Sequence, residues 1–231
     1  MKQLFIAFLI LAIANTASAQ ANEMQETIAI IKQNLADSKQ KLKTYEWIET
    51  TTTFVKGEEK SKKQNQCYYG VDGKLVKVET GGSSPEGKTK GGLRGKVIAN
   101  KKEEMADYID KAIKLIQTYL PPDAEKLQKI YGAGKTSIHV LEPGKKFKID
   151  FRDYNLAGDV LSVSVAKEKK MILAIAVNTY IENASDKVIF NITYNTLPDG
   201  TQYAGKTSLE ANAKNVKIDI VNSGYKKGAG Q

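Results

Sequence analysis

Apolar and polar residues change their spacing at several points along the chain, and each change marks an element. From Asn22 to Tyr45 the apolar positions Met24, Ile28, Ile31, Leu35 and Leu42 recur at intervals of three, four or seven, the spacing of one helix face. The pattern then shifts to the aromatic and β-branched run YEWIETTTTFV, Tyr45 to Val55, which favours a strand. KGEEK supplies a polar turn, and a second strand includes Gln64 to Tyr69. Asp72-Gly73 turns the chain into a third strand through Leu75, Val76 and Val78. The opening is therefore a helix followed by a meander.

Residues 81–95 read GGSSPEGKTKGGLRG, with six glycines and one proline, the composition of a mobile loop. Beyond it the spacing becomes helical again, and two inserted helices are expected at about 97–131. Asn100 is placed to cap the first helix, with Glu103 at the capping-box position. Met105, Ile109, Ala112, Ile113, Ile116 and Leu120 form one apolar stripe, and Pro121-Pro122 ends it. Asp123 caps a short second helix reaching Tyr131.

The remainder alternates in period two. Phe147, Ile149 and Phe151 share a face, as do Leu161, Val163 and Val165. Met171, Leu173, Ile175 and Val177 follow, then Val188, Phe190, Ile192 and Tyr194, and finally Val216, Ile218 and Ile220. Polar partners opposite them imply an antiparallel sheet with one apolar side. About nine strands are expected, with two or three helices to cover them and a flexible tail at about 224–231. A one-sided apolar sheet of this size must be covered by helices, closed into a barrel or filled by a ligand. A long amphipathic helix tethered by a glycine-rich hinge suits a lid over such a sheet.

One stretch of the loop, GSSPEGKT from Gly82 to Thr89, fits the letters of a phosphate-binding loop. That chemistry needs an apolar strand before it and a helix starting at the Lys and Ser/Thr. Here Lys88 and Thr89 run into further glycines instead, so the stretch reads as a hinge, and no nucleotide is expected.

The N-terminus places the chain. Lys2 precedes an apolar run from Leu4 to Ala14, and Ala17-Ser18-Ala19 is an A-x-A cleavage site. Residues 1–19 are thus a cleavable signal peptide, and residues 20–231 a single exported domain. One cysteine, Cys67, allows no intramolecular disulfide, which fits a periplasm better than a secreted eukaryotic domain. The formal charge is +9. Export makes nucleic acid an improbable partner, and an anionic membrane surface a more suitable one.

Catalytic and metal patterns are sparse. His139 is the sole histidine, and on SIHVL it is expected to pack against the sheet. No Cys or His pair accompanies it as metal ligands require, and no G-x-S-x-G elbow supplies a nucleophile. No cofactor and no enzymatic activity are expected.

The order of elements, with YEWIETTTTFVKGEEK near the start and AVNTYIENASDKVIFNITYNTLPDGTQYA near the end, resembles the LolA/LolB-like superfamily of periplasmic proteins. The resemblance implies an unclosed barrel with helices over its apolar concave side. It also implies a carrier of lipoprotein acyl chains or other lipids, a related domain being a sensor of envelope stress. The expectation is an α+β protein: a half-open antiparallel β-barrel with an N-terminal helix and an inserted helical lid. It would bind a lipid or an acylated protein. The candidate contacts are Trp47, Phe54, Met105, Ile109, Ile113, Phe147, Phe151, Met171, Leu173, Phe190 and Ile192. The alternative is an envelope sensor or protein-interaction module with no lipid ligand. Mass spectrometry of the chain recovered from the periplasm of a Gram-negative host should give a mature N-terminus near Gln20; retention of residues 1–19 would contradict the cleavage site.

Overall fold

The structure is a computed structural model that describes residues 29, 32–83 and 93–228. Residues 1–28, 30–31, 84–92 and 229–231 lie outside the described residues, and with them the expected signal peptide, Met24, Ile28 and Ile31 of the first helical stripe and most of GSSPEGKT. Helical residues 32–42 form α1, α2 spans Leu93–Gln117 and α3 spans Ala124–Gly132. Ten strands accompany them: β1 Tyr45–Val55, β2 Glu58–Tyr69, β3 Leu75–Ser83, β4 Thr136–Glu142, β5 Lys146–Arg152, β6 Val160–Ala166, β7 Met171–Tyr180, β8 Lys187–Thr196, β9 Gln202–Ala211 and β10 Val216–Lys227.

All ten belong to one sheet in the order β3-β2-β1-β10-β9-β8-β7-β6-β5-β4, every neighbouring pair antiparallel. The first and last strands in that order do not pair, so the sheet is unclosed, as the half-open expectation requires. Tight hairpins make most of the links. Between β1 and β2, Lys56 and Gly57 both take positive φ, 54° and 80°, the two-residue geometry that follows the natural twist of paired strands.

Several boundaries differ from the sequence reading. There are ten strands rather than nine. β3 carries Gly81 and Gly82 as strand residues, and α2 starts at Leu93, so Asn100 lies inside the helix and caps nothing. The helix reaches further back because nothing in LRGKVIAN breaks it except one glycine, a cost of about 1 kcal/mol. The expected tail is also shorter: β10 runs to Lys227, which pairs with Tyr45. Asp123 does cap α3, its carboxylate accepting from Lys126 N–H at 2.7 Å.

The buried core sits between the sheet and α2 and α3. Tyr108, Ala112, Ile116 and Tyr119 come from the helix side, with Leu127 and Ile130 from α3. Against them pack Ile149, Phe151, Leu161, Val163, Val165, Ile175, Val177, Val188, Phe190 and Leu209. A carboxylate is buried beside them. Asp159, fully buried in the β5–β6 turn, accepts N–H bonds from Tyr154, Asn155 and Leu156 at 2.5, 2.9 and 2.7 Å. Tyr119 Oη donates to the same carboxylate at 2.5 Å and lies 2.8 Å from Thr179 Oγ1. This network ties the segment just after α2 to the turn and to β7. Burial, first, and the neighbouring carboxylate push the Tyr119 phenol far above its ordinary value. Removing that hydroxyl leaves a buried carboxylate short of a donor, so Tyr119→Phe should lower unfolding stability by about 1–3 kcal/mol, read as a shifted urea midpoint at unchanged slope. An unshifted midpoint would show that the network is not an anchor.

Candidate functional site

Cross-strand register defines the inner face of the sheet. One row runs Thr136, Phe151, Leu161, Val177, Phe190, Leu209, Ile218, Thr53 from β4 to β1. The next runs Ile138, Ile149, Val163, Ile175, Ile192, Thr207, Ile220, Thr51 and, on β2, Lys63. Both rows are apolar over β5 to β8 and turn polar around β1. Further along, Glu49 on β1 accepts from Lys77 on β3 at 2.7 Å through both carboxylate oxygens. The inner face is thus half apolar and half polar, rather than apolar throughout.

The helices cover its two ends. Tyr108 Oη donates to Asp186 in the β7–β8 turn at 2.5 Å, Lys111 reaches Glu182 in the same turn, and Glu104 meets Lys214 between β9 and β10. Asn155 in the β5–β6 turn donates to Thr118 just beyond α2. All these turns lie at one end of the sheet. At the other end α1 takes hold: Ser38 Oγ accepts from Gln202 N–H at 3.0 Å and Asn34 donates to Lys170 C=O at 2.7 Å. At the border of the core cluster, Leu35 of α1 and Phe147, Ile192, Tyr194 and Ile218 of the sheet are only partly buried. Directly beneath α2 the space is filled, since Ala112 and Tyr119 are fully buried and Ile116 nearly so. Two cavities, of about 620 and 310 Å³, are lined mainly by polar and glycine residues, and neither lining includes a residue of α2.

The candidate contacts fall into separate places. Phe147, Phe151, Phe190 and Ile192 share the inner face; Phe151 and Phe190 are buried core, while Phe147 and Ile192 border the less covered strip. Met105 and Ile109 are partly buried on α2, and Ile113 is 39% exposed. The buried residues of the helix are Tyr108, Ala112 and Ile116, with Tyr119 just beyond its end; Ala112 and Ile116 belong to the predicted stripe, but the buried face is turned from Ile113 toward Tyr108. Met171 and Leu173 exchange places with Ile172. A bulge at Leu173 leaves Val165 opposite Ile172 and Ser164 opposite Ala174, so Ile172 enters the core instead. Phe54 lies beside Lys217 and Glu210 on the outer face and lines the larger cavity.

Trp47 belongs to a second cluster, stacked on Tyr225 at 5.5 Å and tilted 6.0 Å from Tyr69, with Tyr45 and Tyr203 also against Tyr225. Its indole N–H donates to Asn222 Oδ1 at 3.2 Å. Tyr45 Oη donates to Asp199 Oδ2 at 2.7 Å, the first reason that this carboxyl is held down at about 2. Cys67, opposite Trp47, is completely buried, and burial pushes its thiol up, which makes it inert.

His139 stands on the outer face, 49% exposed at its side chain, rather than packed inward, with Nε2 2.8 Å from Asp150 Oδ2. Ser162 Oγ donates to the other oxygen of Asp150 at 2.6 Å. Burial alone would raise Asp150, but the bonds from Ser162 and Lys148, the Lys148 charge and the bond from His139 outweigh it and hold the carboxyl below its usual range. Serine and histidine both address the carboxylate. The serine–base contact that nucleophilic catalysis needs is not made here. Among the described residues no group of three or more His, Cys, Asp or Glu side chains could hold a metal, and no helix is long and apolar enough to cross a membrane.

The rotation of α2 is directly testable. Ile113→Asp should change stability by no more than about 0.5 kcal/mol, whereas Ala112→Leu should cost about 1–3 kcal/mol by overfilling the core. Equal costs in chemical denaturation would mean that the helix packs by the other face.

No protein-family model matches the chain, and no curated protein matches it. Among solved structures it is similar to a putative outer membrane lipoprotein-sorting protein domain from Vibrio parahaemolyticus, with 10% identity over 91% of this chain and 93% of that one, TM-score 0.39. It is also similar to a LolA superfamily protein from Nitrosomonas europaea, 9% identical over 87% of this chain and 94% of that one, TM-score 0.35. A third is a DUF1329 family protein from Desulfovibrio piger, 10% identical over 87% and 94%, TM-score 0.32. With TM-scores below 0.5, none of the three transfers a ligand or a residue role.

Proposed function

We propose that this chain is a non-enzymatic periplasmic binding protein that carries a lipid or an acyl chain on the inner face of its sheet. One observation carries the reading: α1 and α2 are anchored at opposite ends of the sheet, and the inner-face residues Phe147, Ile192 and Ile218, with Leu35 of α1, border the core only partly covered. An alkyl chain laid along that strip gains about 0.8 kcal/mol for each methylene removed from water. The polar half of the inner face, with Thr51, Thr53 and the Glu49–Lys77 pair, suits the end of a ligand that stays hydrated. The formal charge of +9 favours approach to an anionic membrane surface, where such cargo would be exchanged.

The filled space beneath α2 supports the second reading, an envelope sensor or interaction module with no lipid ligand. The two separate by experiment. Under the carrier reading, mature protein purified from a Gram-negative host copurifies with lipid and takes up a fluorescent fatty acid. Ile192→Asp and Phe147→Ala, with circular dichroism unchanged, should each weaken uptake about tenfold or more, the equivalent of about 1.4 kcal/mol. Wild-type protein that is lipid-free and takes up no fatty acid would overturn the carrier reading and leave the interaction module.

A further inference from the structure

β4 is the last strand of the sheet, and among the described strands it pairs with β5 alone. Its outer border therefore offers backbone N–H and C=O groups to an incoming strand. The opposite border, β3, interleaves Lys77 and Glu79 with its apolar residues and runs into Gly81 and Gly82, devices that discourage further pairing. β4 has fewer of them: TSIHVLE contains no lysine, glycine or proline, and its one carboxylate, Glu142, and its bulge stand at its far end. Ile138 and Val140 lie opposite Ile149 and Phe147 on the inner side, yet they are 55% and 68% exposed. Leu141, displaced by a bulge beside them, is 55% exposed.

Whatever covers this border must satisfy peptide groups as well as apolar side chains, which an extended polypeptide does and an alkyl chain does not. The surroundings set its charge. From Lys135 to Asp153 there are five basic side chains against three carboxylates. Each carboxylate is already engaged: Glu142 by Lys145 and Lys146, Asp150 by His139 and Lys148, and Asp153 by Lys135. His139 and Lys148 are paired across the outer face of β4 and β5. A second copy of the chain would bring the same basic border against itself. A seven-residue strand is also only about 24 Å long, too short to bury the roughly 1,200 Å² or more of a stable dimer.

We propose that β4 is a strand-addition site for an extended segment of a partner protein, with apolar residues at alternate positions facing Ile138 and Val140 and acidic residues between them facing His139 and Lys148. The site adjoins the acyl strip at Phe147, which Val140 opposes, but it is built on the free backbone edge of β4 and does not rest on the carrier reading. The probe is a capped peptide alternating valine and glutamate, compared with one alternating valine and lysine. The glutamate peptide should bind the mature protein, slow amide hydrogen exchange across residues 137–141, and bind about tenfold or more tightly than the lysine peptide. Val140→Asp, at an exposed position that folding tolerates, should weaken peptide binding about tenfold or more, while Ile192→Asp, four strands away on β8, should leave peptide binding unchanged. Absence of β4 protection, equal binding of the two peptides or an indifferent Val140→Asp variant would overturn the proposal. So would a dimer in analytical ultracentrifugation that Val140→Asp abolishes, or protection of β4 by fatty acid in place of peptide, since either would name a different occupant.

Discussion

The rest of the molecule follows from where the chain leaves its sheet and where it returns. Strands β1 to β3 build one border outward, and β4 begins at the other, so the connection between them must travel from edge to edge. A short loop cannot span ten strands at about 4.8 Å each. The chain spends residues 84–135 on this passage and places α2 and α3 along it, where the apolar inner rows supply something to bury. Helix position is thus a consequence of strand order, and the aromatic and carboxylate contacts at the turns fix it in detail.

Those contacts divide the labour. Asp159 draws backbone and phenol donors into one buried point, and its desolvation is offset by four hydrogen bonds. Tyr108 and Lys111 hold the middle of α2 against the β7–β8 turn, and Ser38 holds α1 at the far end. Apolar packing then fills the space beneath α2 and leaves the central strip thinner. On the other half of the sheet, Glu49 and Lys77 meet across β2 while the tyrosines gather around Trp47. Among the described residues this half is held by polar and ring contacts.

Much of this was legible in the spacing of residues, and the errors have physical causes. β1 is bounded as its run of aromatic and β-branched residues predicts, and the inner faces of β5, β6 and β8 match their period-two pattern. Alternation failed at β7, because one extra residue at Leu173 reverses the parity on either side of it, and MILAIAV carries no polar residue to mark the slip. On α2 the stripe holds at Ala112 and Ile116 but not at Ile113, which is more hydrophobic than Tyr108 and Tyr119; the tyrosines bury their rings and send their hydroxyls to Asp186 and Asp159. Phe54 follows the alternation of β1 faithfully, but alternation does not say which face is the inner one. The threonines of that strand conceal the answer.

A closed barrel has its radius set by strand number and stagger. Here the borders at β3 and β4 are under no such condition, so curvature can tighten or relax by small changes of twist at each of nine ladders without breaking any of them. The sheet can adapt its girth to whatever packs against its inner face, in the way a cupped hand does and a tube does not.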